Sequence, residues 1–156
     1  MYCNSYHLNG GHHAMIREFK ADDVSELSVQ PKQAHYKDHV NQLAISGQLE
    51  TAFTYSEDGK AKAIIGAQQY WKGRVAVWAL VGDVSNWISC HRQVTKTLNA
   101  YAKANNVLRF ELTTEIGFDE SERWAKMLGF KLESTMSNFG VDGLDHKMWV
   151  MLCQQQ

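Results

Sequence analysis

The fold is decided by one run of residues, Asp119-Glu120-Ser121-Glu122-Arg123-Trp124-Ala125-Lys126-Met127-Leu128-Gly129-Phe130. Asp119 is suited to cap a helix N-terminus, and Glu122, three residues on, is suited to reach back to it as in a capping box. The apolar side chains that follow recur at helical spacing, and Gly129 can adopt the positive φ that ends a helix. The run therefore predicts a short amphipathic helix that ends just before a strand at 131–136.

The rest of the chain reads as further strands and helices. Alternating apolar residues bounded by turn signals predict strands, whereas apolar residues three and four apart predict helices. These signals predict strands at 15–20, 49–55, 61–71, 75–81, 107–116, 131–136 and 148–153, and helices at 21–30, 34–46, 86–105 and 119–128. The expected order of elements is β-α-α-β-β-β-α-β-α-β-β.

One connection sets the arrangement of the sheet. The strands at 75–81 and 107–116 are separated by a single long helix, and such crossovers join parallel neighbours. These two strands are therefore expected to lie side by side and parallel within an otherwise antiparallel sheet. The expected fold class is α+β: a mixed, mostly antiparallel central sheet with one parallel strand pair, flanked by helices.

Length and composition exclude several classes of protein. A chain of 156 residues is long enough for one domain with a real core. A formal net charge of -1 gives no long-range attraction for nucleic acid or for an anionic membrane. No apolar run approaches the roughly 20 residues of a membrane span. Cys3, Cys90 and Cys153 are odd in number and far apart, which indicates reduced cytosolic thiols rather than a disulfide framework.

The first fourteen residues look separate from the domain. Residues 1–14 show neither the strand nor the helix period, whereas Met15 opens a typical first strand. We therefore expect 1–14 to be an N-terminal extension outside the fold, arising from upstream translation, from an expression remnant or from a frayed end. The single domain is expected to comprise 15–156.

Metal binding is the alternative role for several histidines. The candidates by spacing are His7, His12, His13, His35 and His39. The first three lack a Cys or carboxylate companion, and the last two, four apart on a predicted helix, lack a third ligand. No metal site is therefore expected.

The helix that ends Leu128-Gly129-Phe130 resembles the last helix of the GNAT-type N-acetyltransferases, whose common form reads Asn-x-x-Ala-x-x-hydrophobic-Tyr-x-x-Leu-Gly-Phe. The start Met15-Ile16-Arg17, the strand meander and the element order extend the resemblance to about Leu152. The pair Arg123-Trp124 before Leu-Gly-Phe is similar to a divergent acyltransferase-like family of tailed bacteriophages, some of whose members are internal virion or core proteins. The Tyr of the GNAT motif, often the general acid, falls on Ala125.

The resemblance implies an acyl-CoA site where the two parallel strands splay apart. In the family, backbone groups of the strand before the long helix bind pantetheine, which points to Leu80 and Val81. The loop that enters that helix binds the pyrophosphate, which points to Ser89 and Arg92. Glycine lets such a loop approach a phosphate closely, but this chain has none between residues 82 and 117. Weak acetyl-CoA binding is therefore expected.

An amine acceptor must lose a proton before it attacks a thioester, so a carboxylate or an imidazole near the splay is a candidate base. The candidates are Asp83 at the end of the strand before the long helix, His91 in the first turns of that helix, and Glu111 and Glu115 on the strand after it. A structural role is the alternative for each: Glu111 can pair with Arg109, and His91 can simply pack against the core.

Two functions from different classes remain open. The first is an acetyl- or acyl-CoA-dependent N-acyltransferase for a small-molecule or amine acceptor. Trp71, Trp78 and Trp124 are candidates for the walls of its pocket, although core packing is the preferred role of Trp78 and Trp124. The second is a non-catalytic phage protein that keeps the scaffold for assembly or for contact with phage or host proteins. The expected location is the host cytoplasm or the virion.

Overall fold

The computed structural model describes residues 13–154, which form seven strands, four α-helices and one 3₁₀ turn. The strands are β1 (Ala14–Glu18), β2 (Thr51–Glu57), β3 (Lys60–Trp71), β4 (Arg74–Val81), β5 (Arg109–Glu115), β6 (Lys131–Met136) and β7 (His146–Leu152). The helices are α1 (Asp22–Glu26), α2 (Ala34–Ile45), α3 (Trp87–Ala104) and α4 (Asp119–Met127), and the 3₁₀ turn Pro31–Gln33 leads into α2. The predicted order of strands and α-helices is confirmed.

The strands form one mixed sheet in the order β1-β2-β3-β4-β5-β7-β6. All neighbouring strands are antiparallel except β4 and β5, which are parallel and joined through α3, as the crossover predicted. Their pairing runs only from Arg74 opposite Arg109 to Ala76 opposite Glu111. Beyond that point β4 and β5 diverge, and the sheet opens between them.

Helices cover both faces of the sheet. On one face α3 and α4 contribute Val94, Leu98 and Ala125 to a core that also contains Phe110 and Trp149. On the other face a second core joins residues of α1 and α2 to apolar residues of β3 and β4, among them Val24, Leu27, Val40, Ile64 and Leu80. The divergence of β4 and β5 therefore opens between two helical layers.

The N-terminus of α4 differs from the expected capping box. Phe118 occupies the cap position and makes no side-chain cap hydrogen bond among the described residues. The Glu122 carboxylate, which was expected to reach back, instead accepts hydrogen bonds from Lys147 Nζ at 2.8 Å. Lys147 Nζ is a charged donor and a backbone N–H is neutral, so the ion pair with the neighbouring strand outweighs the local cap.

Several other boundaries differ from the sequence-based expectation, among them three that bear on the predictions above. Helix α1 ends at Glu26, and Pro31 begins the 3₁₀ turn instead of ending that helix. Strand β7 begins at His146, two residues before the expected start. Ala14 pairs with Glu57 in β1, so the last residue assigned to the extension belongs to a strand. His13, also assigned to the extension, donates its N–H to Asp58 Oδ1 at 3.1 Å and accepts from the Asp58 N–H at 3.0 Å. Residues 1–12 lie outside the described residues, and their independence from the fold stays a prediction.

Gly129 provides the first testable prediction. It follows α4 with φ of +98°, and an added Cβ would meet only Met151 Sδ at 3.5 Å, an ordinary contact. Crowding within the backbone itself should therefore make Gly129→Val lower the free energy of unfolding by about 1–2 kcal/mol. Urea denaturation measures this change. Gly129→Asn is the control and should be milder, because Asn tolerates positive φ; an unchanged midpoint for the valine variant would contradict the prediction.

Candidate functional site

The divergence of β4 and β5 forms the main cleft of the described chain. The cleft has a volume of about 1170 Å³ and is lined by side chains of α2, α3 and α4 as well as by the two strands. Leu80 and Val81 line it from β4, and Thr114 and Glu115 line it from β5. A cleft of this size with mostly apolar walls is typical of a small-molecule site.

Part of the exposed edge of β4 is already occupied by a side chain. The Gln33 amide donates from Nε2 to the carbonyl of Ala79 at 3.2 Å, and its Oε1 accepts from the N–H of Val81 at 3.1 Å. The primary amide thus bonds β4 as one peptide unit of a neighbouring strand would. These two backbone groups lie at the cleft, where the resemblance implies that pantetheine pairs with the strand.

The backbone donors at the start of α3 are also occupied. Glu57, 6% exposed, accepts from the N–H of Asn86 at 2.8 Å and from the N–H of Ser85 at 3.1 Å, and it lies 3.2 Å from the Tyr55 hydroxyl. The Asn86 side chain in turn caps the helix by accepting from the N–H of Ser89 at 3.0 Å. An internal carboxylate and an internal amide therefore hold N–H groups that would otherwise be available to a phosphate.

The ionisation of Glu57 is consistent with this arrangement. Burial is the largest single influence and acts to raise the pKa of Glu57, but the N–H groups of Asn86 and Ser85 and the Tyr55 hydroxyl together hold the pKa below its usual value. Hydrogen bonds to the charged form outweigh the loss of hydration. Glu57 is therefore a fixed negative charge beside the start of α3.

The residues predicted to bind the cofactor are partly brought together. Leu80, Val81 and Arg92 line the cleft, and the Arg92 side chain is exposed. Ser89 is not among the lining residues: its N–H is held by Asn86, and its hydroxyl accepts from Gln93 Nε2 at 2.9 Å. Arg92 is thus the predicted cofactor ligand that remains available to an anion.

Of the four candidate bases, His91 and Glu115 line the cleft, whereas Glu111 and Asp83 do not. Glu111 is the last residue of β5 that pairs with β4, and it is 3% exposed. Its carboxylate contacts Arg74 at 2.6 Å and Arg109 at 3.1 Å, so the structure shows its alternative role as an ion-pair partner. Asp83 is exposed and pairs with Lys62 at 3.1 Å. His91 lines the cleft, and its Nδ1 is buried without a hydrogen-bond partner among the described residues.

Aromatic side chains form part of the wall, but not the set that the sequence indicated. Trp78 and Trp124 line the cleft, whereas Trp71 is exposed on the β3–β4 hairpin, with its ring 4.3 Å from the Arg74 guanidinium carbon. Trp87, which was not predicted to contribute, also lines the cleft and contacts Trp124 edge to face with ring centroids 5.9 Å apart. Two indole rings therefore meet where α3 and α4 line the cleft.

Two further polar groups were missed by sequence reasoning. Tyr36 of α2 lines the cleft, and its hydroxyl lies 3.4 Å from Nε2 of His146 at the start of β7. Tyr36 falls within the helix predicted at 34–46, and His146 precedes the strand predicted at 148–153. The partners are 110 residues apart in the chain, so no local pattern indicated that they meet.

The described residues contain no group of three or more His, Cys, Asp or Glu side chains that could hold a metal ion. The two described cysteines, Cys90 and Cys153, are free thiols. Across residues 13–154, no helix combines the length and the apolar character needed to cross a membrane.

Solved structures of acetyltransferases are similar to the whole described domain. Ard1 from Thermoplasma volcanium is 17% identical, with a TM-score of 0.76 over 91% of this chain and 99% of that one. A GNAT-family acetyltransferase from Bacillus anthracis is 14% identical, with a TM-score of 0.69 over 91% and 96% of the two chains. YncA from Salmonella typhimurium, a putative acetyltransferase solved with its cofactor acetyl-CoA, is 13% identical, with a TM-score of 0.70 over 92% and 95%.

No protein-family model and no curated protein matches the chain. The similarity to solved structures extends over nearly the full length of both partners, and the parallel strand pair lies where the GNAT resemblance predicted it. The chain therefore has the GNAT acetyltransferase fold.

Proposed function

We propose that this protein is an acyl-CoA-dependent N-acyltransferase whose acyl donor enters the cleft between β4 and β5. The observation that carries the proposal is the early end of the β4–β5 pairing, which leaves an open cleft of about 1170 Å³ in the sheet. Apolar walls with a few converging polar groups suit a pantetheine arm and its acyl group. A similar structure holds acetyl-CoA as its cofactor, which supports the same class of donor here.

The residues of the cleft fit the donor unequally. The Ala79 carbonyl and the Val81 N–H match an amide of pantetheine, but Gln33 must release them first. Arg92 is available to a phosphate, whereas the N–H groups of Ser85 and Asn86 are held by Glu57. The donor, when bound, supplies the activated thioester carbonyl. The protein is thus equipped to hold the arm more firmly than the pyrophosphate.

Acetyl-CoA binding is the second prediction. A hydrogen bond to a charged group contributes roughly 1.5–3 kcal/mol, so the absence of two amide contacts to phosphate weakens a micromolar site by roughly a hundredfold or more. Calorimetry should therefore give a Kd of about 0.1–1 mM. Arg92→Ala should weaken binding further, and higher salt should do the same, because an exposed charge pair is screened.

The control for Arg92→Ala is Lys96→Ala, one turn further along α3, where the side chain is exposed and does not line the cleft. It should leave the Kd unchanged. Low-micromolar binding that survives Arg92→Ala would contradict the proposed weak anchoring of the phosphates. The proposed function itself is tested at millimolar acetyl-CoA by following transfer of a labelled acetyl group to simple amines, and the absence of transfer would overturn it.

A second candidate function is favoured by one observation. The occupation of Ser85, Asn86 and Ser89 N–H groups by Glu57 and Asn86 suits a protein that has no need to bind a pyrophosphate. Such a protein would use the fold as a scaffold for assembly or for contact with phage or host proteins, in the host cytoplasm or in the virion. This candidate predicts neither acetyl transfer nor any acetyl-CoA binding, so the same two measurements separate it from the enzyme.

A further inference from the structure

Tyr36 and His146 form a phenol–imidazole pair at the α2 side of the cleft. His146 is 3% exposed, and its Nε2 lies 3.4 Å from the Tyr36 hydroxyl, which lines the cleft. The other ring nitrogen, Nδ1, is buried and has no hydrogen-bond partner among residues 13–154. The imidazole therefore reaches the cleft through the tyrosine hydroxyl.

Gly140 allows the backbone of the β6–β7 loop to lie close to this pair. A Cβ added at Gly140 would lie 2.9 Å from His146 Nε2 and 2.7 Å from Asp142 Oδ1, closer than a real side chain is found to either group. The loop is held in place because Gly140 donates its N–H to the Leu144 carbonyl, and Asp142 Oδ1 accepts from the Leu144 N–H. Gly140 therefore lets the loop backbone lie closer to the imidazole and to the Asp142 carboxylate than a residue with a Cβ could.

The charges around the hydroxyl are negative. Glu115 lines the cleft from β5, and in the sheet it is the register partner of His146. Burial, followed by the negative charges of Glu115 and Asp142, raises the pKa of Tyr36 and keeps its phenol protonated. The same two carboxylates attract a cation, so this end of the cleft suits an acceptor that arrives as an ammonium ion.

We propose that Tyr36 and His146 act together as the proton-transfer pair for an amine acceptor, with Glu115 and Asp142 attracting its ammonium group. This inference rests on the proposed acyltransferase function. The pair takes the place of the tyrosine of the GNAT motif, because Ala125 stands at that position in this chain. The pair lies on α2 and β7 rather than on α4, so it is a different solution to the same chemical need.

The proton balance of the step is complete. The ammonium group gives one proton to Tyr36 Oη while the Tyr36 hydroxyl proton passes to His146 Nε2, leaving a neutral amine and an imidazolium. The amine nitrogen forms the C–N bond to the thioester carbonyl carbon, and the C–S bond breaks with its electron pair on sulfur. The second nitrogen proton moves to that sulfur. The imidazolium then returns its proton through Tyr36 to water as the products leave.

The test begins with Tyr36→Phe. This change removes the hydroxyl and keeps the ring, which packs against the second core. Labelled acetyl transfer is measured with three amine probes: benzylamine, spermidine and a lysine-containing peptide. We expect kcat to fall about 100-fold, within the usual contribution of a general base, with little change in the KM for acetyl-CoA. Tyr101→Phe is the matched control, because Tyr101 packs against Phe110 away from the main cleft, and it should leave kcat unchanged.

The pH–rate profile adds a readout that a structural role would not change. The wild-type rate should rise with increasing pH along one limb of the profile, and Tyr36→Phe should abolish that limb. The groups facing Tyr36 that bear on this limb are His146 from β7, Glu115 from β5, Asp142 from the β6–β7 loop, and His35 on its own helix, 4.0 Å away between ring centroids. A Tyr36→Phe rate within about threefold of wild type, with the limb retained, would overturn the proposal.

Failure of the function and failure of the pair can be told apart. If wild-type protein acetylates none of the three probes, the acyltransferase proposal is overturned, and the pair is judged by NMR of the His146 imidazole. Benzylamine should shift the His146 signal in wild-type protein and leave it unchanged in Tyr36→Phe. A His146 signal that does not respond in wild type, or that responds equally in the variant, would overturn the pair.

Discussion

Glu57→Ala is expected to lower the free energy of unfolding by about 2–4 kcal/mol, because the N–H groups of Ser85 and Asn86 lose their shared acceptor. Each N–H left without a partner in a half-buried position is destabilising by about 1–3 kcal/mol, and water entering from the exposed side offsets part of this loss. Urea denaturation gives the change directly. The matched control is Glu50→Ala, whose carboxylate accepts from the Gln69 N–H at the surface, and it should cost under about 1 kcal/mol.

Rescue by a small anion identifies the lost interaction. Acetate can enter the space left by the Glu57 side chain and accept from the same two N–H groups. It should therefore raise the melting temperature of Glu57→Ala relative to chloride at equal ionic strength, and it should not do so for Glu50→Ala. Equal responses of the two variants would mean that the Ser85 and Asn86 N–H groups are not an anion site.

Asp23→Ala is expected to lower the free energy of unfolding by about 3–5 kcal/mol, the usual result of removing one member of a buried ion pair. Asp23 is 3% exposed and accepts from the two terminal guanidinium nitrogens of Arg17, at 2.7 and 2.9 Å. It also accepts from the Thr54 hydroxyl at 2.7 Å and from the Lys20 N–H at 2.8 Å. The carboxylate thus joins β1, α1 and β2. Asp22→Ala, at an exposed neighbour on the same helix, is the control and should change stability by less than about 0.5 kcal/mol.

This loss should depend on pH in one direction. Burial is the largest influence and acts to raise the pKa of Asp23, but the hydrogen bonds from Arg17, Thr54 and Lys20 outweigh it and lower the pKa. A lowered pKa contributes stability that is fully present above the unfolded value of about 3.9 and is lost as the pH falls through the folded value. The difference between wild type and Asp23→Ala should therefore shrink below about pH 4. A difference that grows on acidification would contradict this assignment.

The fold could be predicted because its information is local or nearly so. The period of α3 and the strands on either side of it are visible within 75–116, and one crossover then fixes the parallel pair. Gly129 gave the end of α4 because positive φ is a property of one residue. The predicted start of α4 at Asp119 is confirmed, but its capping box was wrong because the competing partner of Glu122, Lys147, lies on a strand 25 residues away.

The candidate site could be predicted only in outline. The strands that form the cleft were identified, and Leu80, Val81, His91 and Arg92 do line it. The interactions that decide its chemistry connect residues far apart in the chain: Gln33 with Val81, Glu57 with Asn86, and Tyr36 with His146. A glutamine in a turn, a glutamate at a strand end and a tyrosine on a helix carry no local sign of such partners.

The short β4–β5 pairing has a mechanical consequence. The sheet consists of two parts, one formed by β1 to β4 and the other by β5, β7 and β6. The two parts pair only at Arg74–Ala76 of β4 and diverge beyond that segment. At about 3.3 Å per residue, the far end of β4 at Val81 lies roughly 16 Å from that pivot, so a rotation of only about 5° widens the opening by roughly 1.4 Å. The short paired segment would thus act as a pivot, about which a small rotation gives a large displacement at Val81. For the proposed acyltransferase, a small rotation at the paired segment would admit acyl groups of different width.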